Sequence, residues 1–399
     1  MRRLTDKRLA LTATCLIVGV IIIALSATTV RVGAVLALML VVGIAGISTV
    51  TTKRLRKAHP VLTRAAVTLL VLDASLFATY FFSSITNFNL AIGAAMSIVL
   101  LGLSFLTGAS GQISLGNSAF MGVGALAVAI WANHHASTPI FVTLIIAIAS
   151  GAVVGLLLGL PATRLRGPYL AGMTLAFAVA FPSIVNSFSS WTGGDAGLQL
   201  PTAVSAPRWL SSIFGSHASL LTLNTVWITD ITIVVTGVAF FFMANLFASR
   251  TGRAMRLVRD NDVAAELAGV SLPRARVIAF MVSSGYAALG GALWTLINNS
   301  VSPPTYSLAL SITILSLVVI GGIGTLPGAL IGGVIYAYST NVISWFTAHT
   351  GINSQGNLAS QLPGIIFGGL LIVTMLFAPM GIVGAARRLW AKRRLRTVA

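Results

Sequence analysis

Polar side chains are scarce in this chain, and those that interrupt apolar runs gather in a few places. The first is TGASGQISLGNSAFMGVG, Thr107 to Gly124, where Gln112, Ser114 and Asn117 stand among Gly111 and Gly116. Neutral amides and hydroxyls offer both donors and acceptors without fixed charge. The second is GGIGTLPGALIGG, Gly321 to Gly333, broken at Gly321, Gly322, Gly324, Pro327 and Gly328. Glycine and proline free backbone groups that lipid cannot satisfy, so irregular backbone there must be buried in protein or line a hydrated cavity. Broken helices of this kind surround solute sites in many transporters. The competing role for such glycines is close helix contact, which the spacing of Gly151, Gly155 and Gly159 fits best. Both breaks read as apolar run, glycine-rich turn, apolar run, so an internal pseudo-repeat is one interpretation.

Fixed charge inside the apolar runs is rarer still. Asp73 is the carboxylate placed well inside an expected span. Such residues face a bundle interior or a hydrated path, so Asp73 is either a proton relay or, with no partner acid beside it, a helix-to-helix hydrogen bond. Catalytic constellations are missing. None of the four lysines, Lys7, Lys53, Lys57 and Lys392, follows a glycine, so there is no G-x-x-x-x-G-K-[ST] phosphate loop. There is no H-E-x-x-H and no nucleophile elbow, and His59, His134, His135, His217 and His349 lack metal-ligand spacing. The expectation is a chain that is not an enzyme, holds no metal and carries no cofactor of its own. Cys15 is the single cysteine, which excludes an internal disulfide.

The elements that carry these residues follow from composition. Of 399 residues 56% are hydrophobic and 8% charged, yet the formal net charge is +18, and the mean hydropathy is +0.96. A soluble domain carries about 25% charged residues, so the bilayer must be the main solvent. No soluble stretch is long enough to form a nucleic-acid-binding face, which excludes that class. A spanning helix needs about 20 mostly apolar residues. Windows of that kind fall at roughly 9–30, 32–50, 65–83, 88–107, 118–132, 140–160, 170–188, 226–248, 277–297, 309–327, 329–348 and 362–382. The expected fold is all-α, a polytopic membrane protein of about 10 to 12 crossings, some broken by Gly/Pro-rich segments. The first window follows Arg2, Arg3, Lys7 and Arg8 as a signal peptide would, but a second span follows it without a clear cleavage site.

Basic residues then orient the spans, because cytoplasmic loops retain Lys and Arg. All but Arg31 and Arg208 of the 25 fall at the N-terminus, in 53–64, at Arg164 and Arg166, in 250–276, or in 387–396. Twelve crossings put these five segments on one side, with both termini in the cytoplasm. Trp131, Trp191, Trp209, Trp227, Trp294 and Trp345 map near the outer side, consistent with interfacial indoles. The parity turns on 108–117 and 321–328, each a turn between spans or a kink within one.

The inner loop TGRAMRLVRDNDVAAELAGVSLPRARVIA, Thr251 to Ala279, holds three of the seven acids, Asp260, Asp262 and Glu266. Its pattern predicts a helical turn over Arg253 to Val258, Asp260 as cap, and a second short helix over Val263 to Ala268 closed by Gly269. A topology-fixing basic loop would explain the arginines. It would not explain Ala264, Ala265, Leu267 and Val270, an apolar stripe left exposed unless something docks there. On the outer side the long loop 189–224 contains WTGGDAGLQLP, with Thr192, Gly193, Gly194, Asp195 and Gly197 making it rich in turns. It serves as a docking surface or as a plain connection.

Five blocks in order now carry a resemblance: GLSFLTGASGQISLGNSAFMGVGA, LRGPYLAGMTLAFA, WTGGDAGL, GRAMRLVRDNDVAAELAGV and VSPPTYSLALSITILSLVVIGGIGTLPGALIGGV. Over roughly 88 to 380 the chain resembles the permease subunits of bacterial ABC importers for branched-chain amino acids, the longer of their two paired types. The resemblance implies a bacterial inner-membrane subunit that forms a translocation path by alternating access. It further implies four kinds of partner: two ATPases that bind ATP and Mg, a second homologous permease, an extracytoplasmic solute-binding protein and the lipid bilayer. Within the coupling loop, 249–276, Ala264, Ala265, Glu266 and Gly269 look like the E-A-A-type element that seats in an ATPase groove, with Arg253, Asp260 and Asn261 in the same block. Gln112, Ser114 and Asn117 fall in the family's glycine-rich membrane block, where histidine is common at the place of Asn117. The expected organisation is an accessory pair of spans with a basic loop over 1–64, a permease core over 65–386 and a basic tail over 387–399. Urea or short amides are the alternative solutes, and an ion-coupled transporter using Asp73 is the alternative class.

Overall fold

The computed structural model describes residues 60–79, 83–135, 138–165, 168–200 and 220–350, with 369, 372, 376 and 381–385 near the end. The spans expected over 9–30 and 32–50, the tail from 387, most of 362–382 and positions 201–219 of the outer loop lie outside these residues. Nine apolar windows between 65 and 348 are helices: α1 (Pro60–Thr79), α2 (Ser84–Ser110), α3 (Asn117–His134), α4 (Ile140–Ala162), α5 (Pro168–Ser187), α7 (Leu220–Ala248), α10 (Leu272–Asn298), α11 (Leu308–Gly321) and α12 (Leu326–Thr350). Short elements lie between them: α6 (Ser189–Thr192), α8 (Arg250–Asp260) and α9 (Asp262–Leu267). Strands β1 (Leu198–Gln199) and β2 (Ser300–Val301) form one antiparallel pair, Leu198 opposite Val301 and Gln199 opposite Ser300. The chain is therefore all-α apart from this clasp, and polytopic. Among the described residues five helices are long and apolar enough to cross a membrane: α2, α4, α5, α7 and α10. At 1.5 Å per residue, the 14 residues of α11 rise only about 21 Å, short of a bilayer core of about 30 Å.

The chain divides into two compact units. The smaller comprises 1–87 and 204–242. Within it a Cβ at Gly237 of α7 would run into the Leu72 side chain of α1, so the missing side chain sets how close these helices come. Polar groups fasten this pair to each other and to the first turn of α2. Thr79 Oγ1 donates to Asp230 Oδ1 at 2.8 Å, Asn87 Nδ2 donates to the Thr79 carbonyl at 2.9 Å, and Thr229 Oγ1 donates to the Asn87 carbonyl at 3.1 Å. This corrects the view of Asp73 as the lone intramembrane acid. Because α7 starts at Leu220, not near 226, Asp230 lies ten residues inside a helix.

The larger unit comprises 88–203 and 243–399, with α10 as its axis. α10 packs most extensively on α4 and next on α3. Without a hydrophobic drive between helices in lipid, close approach through small residues does the holding. Gly151 faces Ala288 and Ser284, Gly155 faces Ser284, and Gly159 faces Phe280 and Val277, so the Gly151/Gly155/Gly159 stripe packs α4 on α10 as its spacing predicts. Gly124 of α3 lies on the backbone of Ala288, and Gly291 of α10 on that of Met121. α2 and α10 are internal, with 78% and 67% of their apolar windows buried, whereas α4 and α5 bury 28% each and turn apolar faces outward.

Candidate functional site

α2 ends where Gly111 takes φ +70°, a conformation that L side chains rarely adopt. The next six residues, Gly111 to Gly116, are not helical, and α3 starts at Asn117. The break is thus a separate segment between two helices. Neighbours hold it at several points. The Gln112 N–H donates to the Leu106 carbonyl, the Leu115 N–H to Thr174 Oγ1 at 2.9 Å, and the Gly116 N–H to Ser114 Oγ at 3.2 Å. Where α3 begins, Ser311 of α11 accepts from the Ser118 N–H at 2.9 Å and donates to Ser118 Oγ at 2.8 Å. Other polar atoms are left over. Gln112, Ser114 and Asn117 are all buried, yet neither amide atom of Gln112 nor the Asn117 amide oxygen has a hydrogen-bond partner. An orphaned buried polar group costs about 1–3 kcal/mol.

The second break meets the first. A Cβ on Gly108, in the last turn of α2, would overlap the Gly324 backbone, and Ser104 Oγ accepts from the Gly324 N–H at 2.9 Å. Here four residues, Gly322 to Thr325, turn the chain from α11 into α12. Thr325 donates to the Gly322 carbonyl at 2.7 Å and accepts from the Gly328 N–H at 3.2 Å. Gly321 and Gly328 are buried backbone to backbone, while Pro327 is exposed. Gly321, Gly322, Gly324, Pro327 and Gly328 thus sit in or beside a closed turn with positive φ at Gly322 and Gly324.

The loop after α7 folds as a two-helix knob. Ser249 caps α8 by accepting from the Gly252 N–H. Asn261, not Asp260, caps α9, accepting from the Ala264 N–H at 3.1 Å. Asn261 is the residue with extended backbone (φ −161°), the geometry that aims a side chain back at the first turn. Asp260 instead pairs with Arg259 at 2.7 Å. Ala265 is fully buried and Val270 half-buried, which takes both off the expected stripe; the exposed apolar residues are Val263, Ala264, Leu267 and Ala268, with Leu267 86% exposed and Val263 66%. Glu266 is exposed beside them, and Gly269 closes the knob with φ +79°. Arg253 donates to the Ala248 carbonyl at 2.8 Å and Arg256 to that of Phe247 at 3.1 Å, capping the C-terminus of α7.

Two further arginines tie the knob to the membrane helices. Arg259 donates to the Gly108 carbonyl, and its side chain lies against Gly111, where a Cβ would sit 2.7 Å from Arg259 Cγ. Arg276 bonds Asp262 at 2.8 Å and the Thr163 carbonyl beyond α4 at 3.3 Å. Neither is distinguishable in sequence from the other basic residues of the loop, since the partners lie 151 and 113 residues away. Between the knob and the first break is a cavity of about 520 Å³, walled by Gly111, Gln112, Ile113, Leu170 and Val258 and edged by Arg259, Asp260, Asp262 and Arg276.

At the other end of α10, residues 189–200 form a knot rather than a loose loop. Gly193 and Gly197 have φ +73°, and Gly197 lies on the backbone of Val301 and Ser302. Thr192 is buried and donates to the Val185 carbonyl at 2.9 Å, Gly194 is buried, and exposed Asp195 accepts from Asn186. Ser302 Oγ reaches the Asp195 carbonyl at 3.4 Å, and Asn133 Nδ2 the Gln199 carbonyl at 3.4 Å. Beneath them Tyr306 is fully buried against Phe181, and desolvation pushes its phenol well above its ordinary pKa. Trp191 and Phe188 remain exposed. Among the described residues no group of three His, Cys, Asp or Glu could hold a metal ion.

Comparison with known proteins agrees with this architecture. Residues 85–375 match the family model described as the permease component of the branched-chain amino acid transport system. The chain is 27% identical over 310 residues to the high-affinity branched-chain amino acid transport system permease protein LivM of Escherichia coli (strain K12), covering 73% of this chain and 68% of that one. Its Salmonella typhimurium counterpart is 26% identical over the same shares. The permease protein LivH of Escherichia coli (strain K12) is 25% identical over 213 residues, 53% of this chain and 64% of that one. No solved structure matches. With nearly three quarters of its length inside the match, both glycine-rich breaks included, the chain belongs to the family of permease components of branched-chain amino acid transport systems.

Proposed function

We propose that this chain, paired with a second permease of its family, forms the membrane path of an ATP-driven importer for branched-chain amino acids. The feature that carries the coupling role is the knob: Val263 and Leu267 are exposed apolar residues on an otherwise charged element, which marks a docking surface. One of two ATPases, which carry ATP and Mg, seats there, with Glu266 at the rim. The distribution of basic residues supports a cytoplasmic knob and cytoplasmic termini in a bacterial inner membrane. The knot around Thr192–Gly197, at the opposite end of α10, then faces the extracytoplasmic binding protein, and its ordered turns favour recognition of a fixed shape.

Motion at the knob reaches the path through Arg259 and Arg276, which grip the ends of α2 and α4. When ATP draws the ATPases together, these contacts move the Gly111–Asn117 segment and open the path to the other side, an alternating-access cycle. Gln112, Ser114 and Asn117 line the path there, and Gly321, Gly322, Gly324, Pro327 and Gly328 supply the packed turn against which the segment moves. Neutral amides and hydroxyls pass a zwitterion without trapping it. The test is ATP-dependent leucine uptake by the reconstituted importer carrying Glu266→Arg. Loss of ATPase association together with a fall in uptake of about a hundredfold or more is expected, as a misplaced interface charge costs several kcal/mol. Unchanged association and uptake would overturn the coupling role.

A further inference from the structure

We propose that the cavity between the knob and the first break is a binding site for a free zwitterionic amino acid with an aliphatic side chain, at the knob end of the path. The proposal rests on the importer function above and adds a location and a recognition chemistry to it. At about 520 Å³ the cavity has the size of an ordinary small-molecule site. Its charged edge holds two guanidiniums, Arg259 and Arg276, and two carboxylates, Asp260 and Asp262, so the edge is neutral overall and bipolar. A ligand of net charge would leave one sign uncompensated. A zwitterion can place its carboxylate toward the arginines and its ammonium toward the aspartates. Arg276 has donors to spare: two of its five N–H groups bond Asp262 and the Thr163 carbonyl.

The wall meets the remaining part of such a ligand. Ile113, Leu165, Leu170, Ala171 and Val258 offer an apolar surface for a branched side chain. Gln112 borders the same cavity, is 7% exposed, and has both its amide oxygen and amide nitrogen without partners. A buried amide unsatisfied on both atoms, beside an opening of this size, is the group that a ligand with one donor and one acceptor end would complete. Occupancy would bridge Gln112 on the irregular segment to the charged pairs on the knob, the two parts that Arg259 already links.

The test uses the intact importer, purified with its permease and ATPase partners but without binding protein or nucleotide, and measures equilibrium binding of radiolabelled L-leucine. Saturable binding is expected. 4-Methylpentanoate, which lacks the ammonium, and 3-methylbutylamine, which lacks the carboxylate, should each compete at least about tenfold more weakly, because each forfeits one charged hydrogen bond. Gln112→Leu and Arg276→Gln should each weaken leucine binding by about tenfold or more. Ala171→Phe, which fills the cavity without removing a polar side chain, should do the same and keeps the test open if a polar variant fails to co-purify with its partners. Absence of saturable binding overturns the site, as does binding indifferent to all three substitutions, or equal competition by either half-ligand. Failure of the importer function is a separate result, read as no ATP-driven leucine uptake by the unsubstituted assembly with its binding protein.

Discussion

At the first glycine-rich break the chain leaves helical geometry for six residues and buries amide atoms of Gln112 and Asn117 that nothing in the protein satisfies. At the second it turns in four residues, Thr325 bonds on both sides, and none of its side-chain atoms is among the buried orphans of the described residues. The two share glycine content and differ in polar content. Glycine allows close approach at both, as the meeting of Gly108 with Gly324 shows. Under the proposed function, the polar side chains make the first a solute-facing segment and leave the second a joint, since irregular backbone at membrane depth is buried in protein or lines a hydrated cavity. The first break touches the knob, through Arg259 on Gly108 and Gly111.

That contrast can be broken experimentally, and the largest effect belongs to the shared contact. Gly108→Val should lower stability by about 3 kcal/mol or more, since its side chain must displace the Gly324 backbone; the thermal unfolding midpoint of the purified importer would show it. A midpoint unchanged from wild type would mean that the breaks do not bear on each other. Next is Arg259→Ala. Its surface-exposed pair with Asp260 contributes little to stability, yet ATP-driven uptake should fall about tenfold while the ATPases stay bound, the mark of lost transmission at the Gly108 contact. Equal losses of uptake and ATPase binding would make Arg259 part of the docking surface instead.

The most discriminating pair comes third. Gln112→Leu should raise stability by about 1 kcal/mol while lowering uptake, because an apolar side chain removes two orphaned atoms. Thr325→Val at the second break should lower stability by about 1 kcal/mol, because it strips satisfied bonds. Denaturation midpoints of the two variants must therefore move in opposite directions, and a shared sign would erase the distinction. The smallest effect is local. Asn261→Ala removes the α9 cap and should cost about 1 kcal/mol, seen as faster amide exchange confined to 262–268, with Asp260→Ala leaving that exchange unchanged.

Much of this architecture was readable in the residues. Apolar windows located every long described helix between Pro60 and Thr350, because a span in lipid requires an uninterrupted apolar run and little else. The Gly151, Gly155 and Gly159 stripe likewise declared its packing role through spacing alone. Caps were harder: Asp260 and Asn261 are adjacent and both are good capping residues, and only the backbone angle at Asn261 chose between them. Ala265, expected on the exposed stripe, turned inward because a six-residue helix presents one face to the body it rests on. Asp230 stands near the start of its expected window, and only the earlier start of α7 at Leu220 sets it well inside the helix.

Local chemistry therefore set the helices and most of their turns in the chain itself, since each depends on neighbours within a few residues. The meeting of Gly108 with Gly324, the grip of Arg259 and Arg276 on distant helix ends, and the cavity beside Gln112 came only from tertiary packing. Each joins residues more than a hundred positions apart. No pattern of types or spacing encodes which carbonyl a given arginine will reach; that follows from how close α2, α4 and α10 are allowed to come, which their glycines settle together.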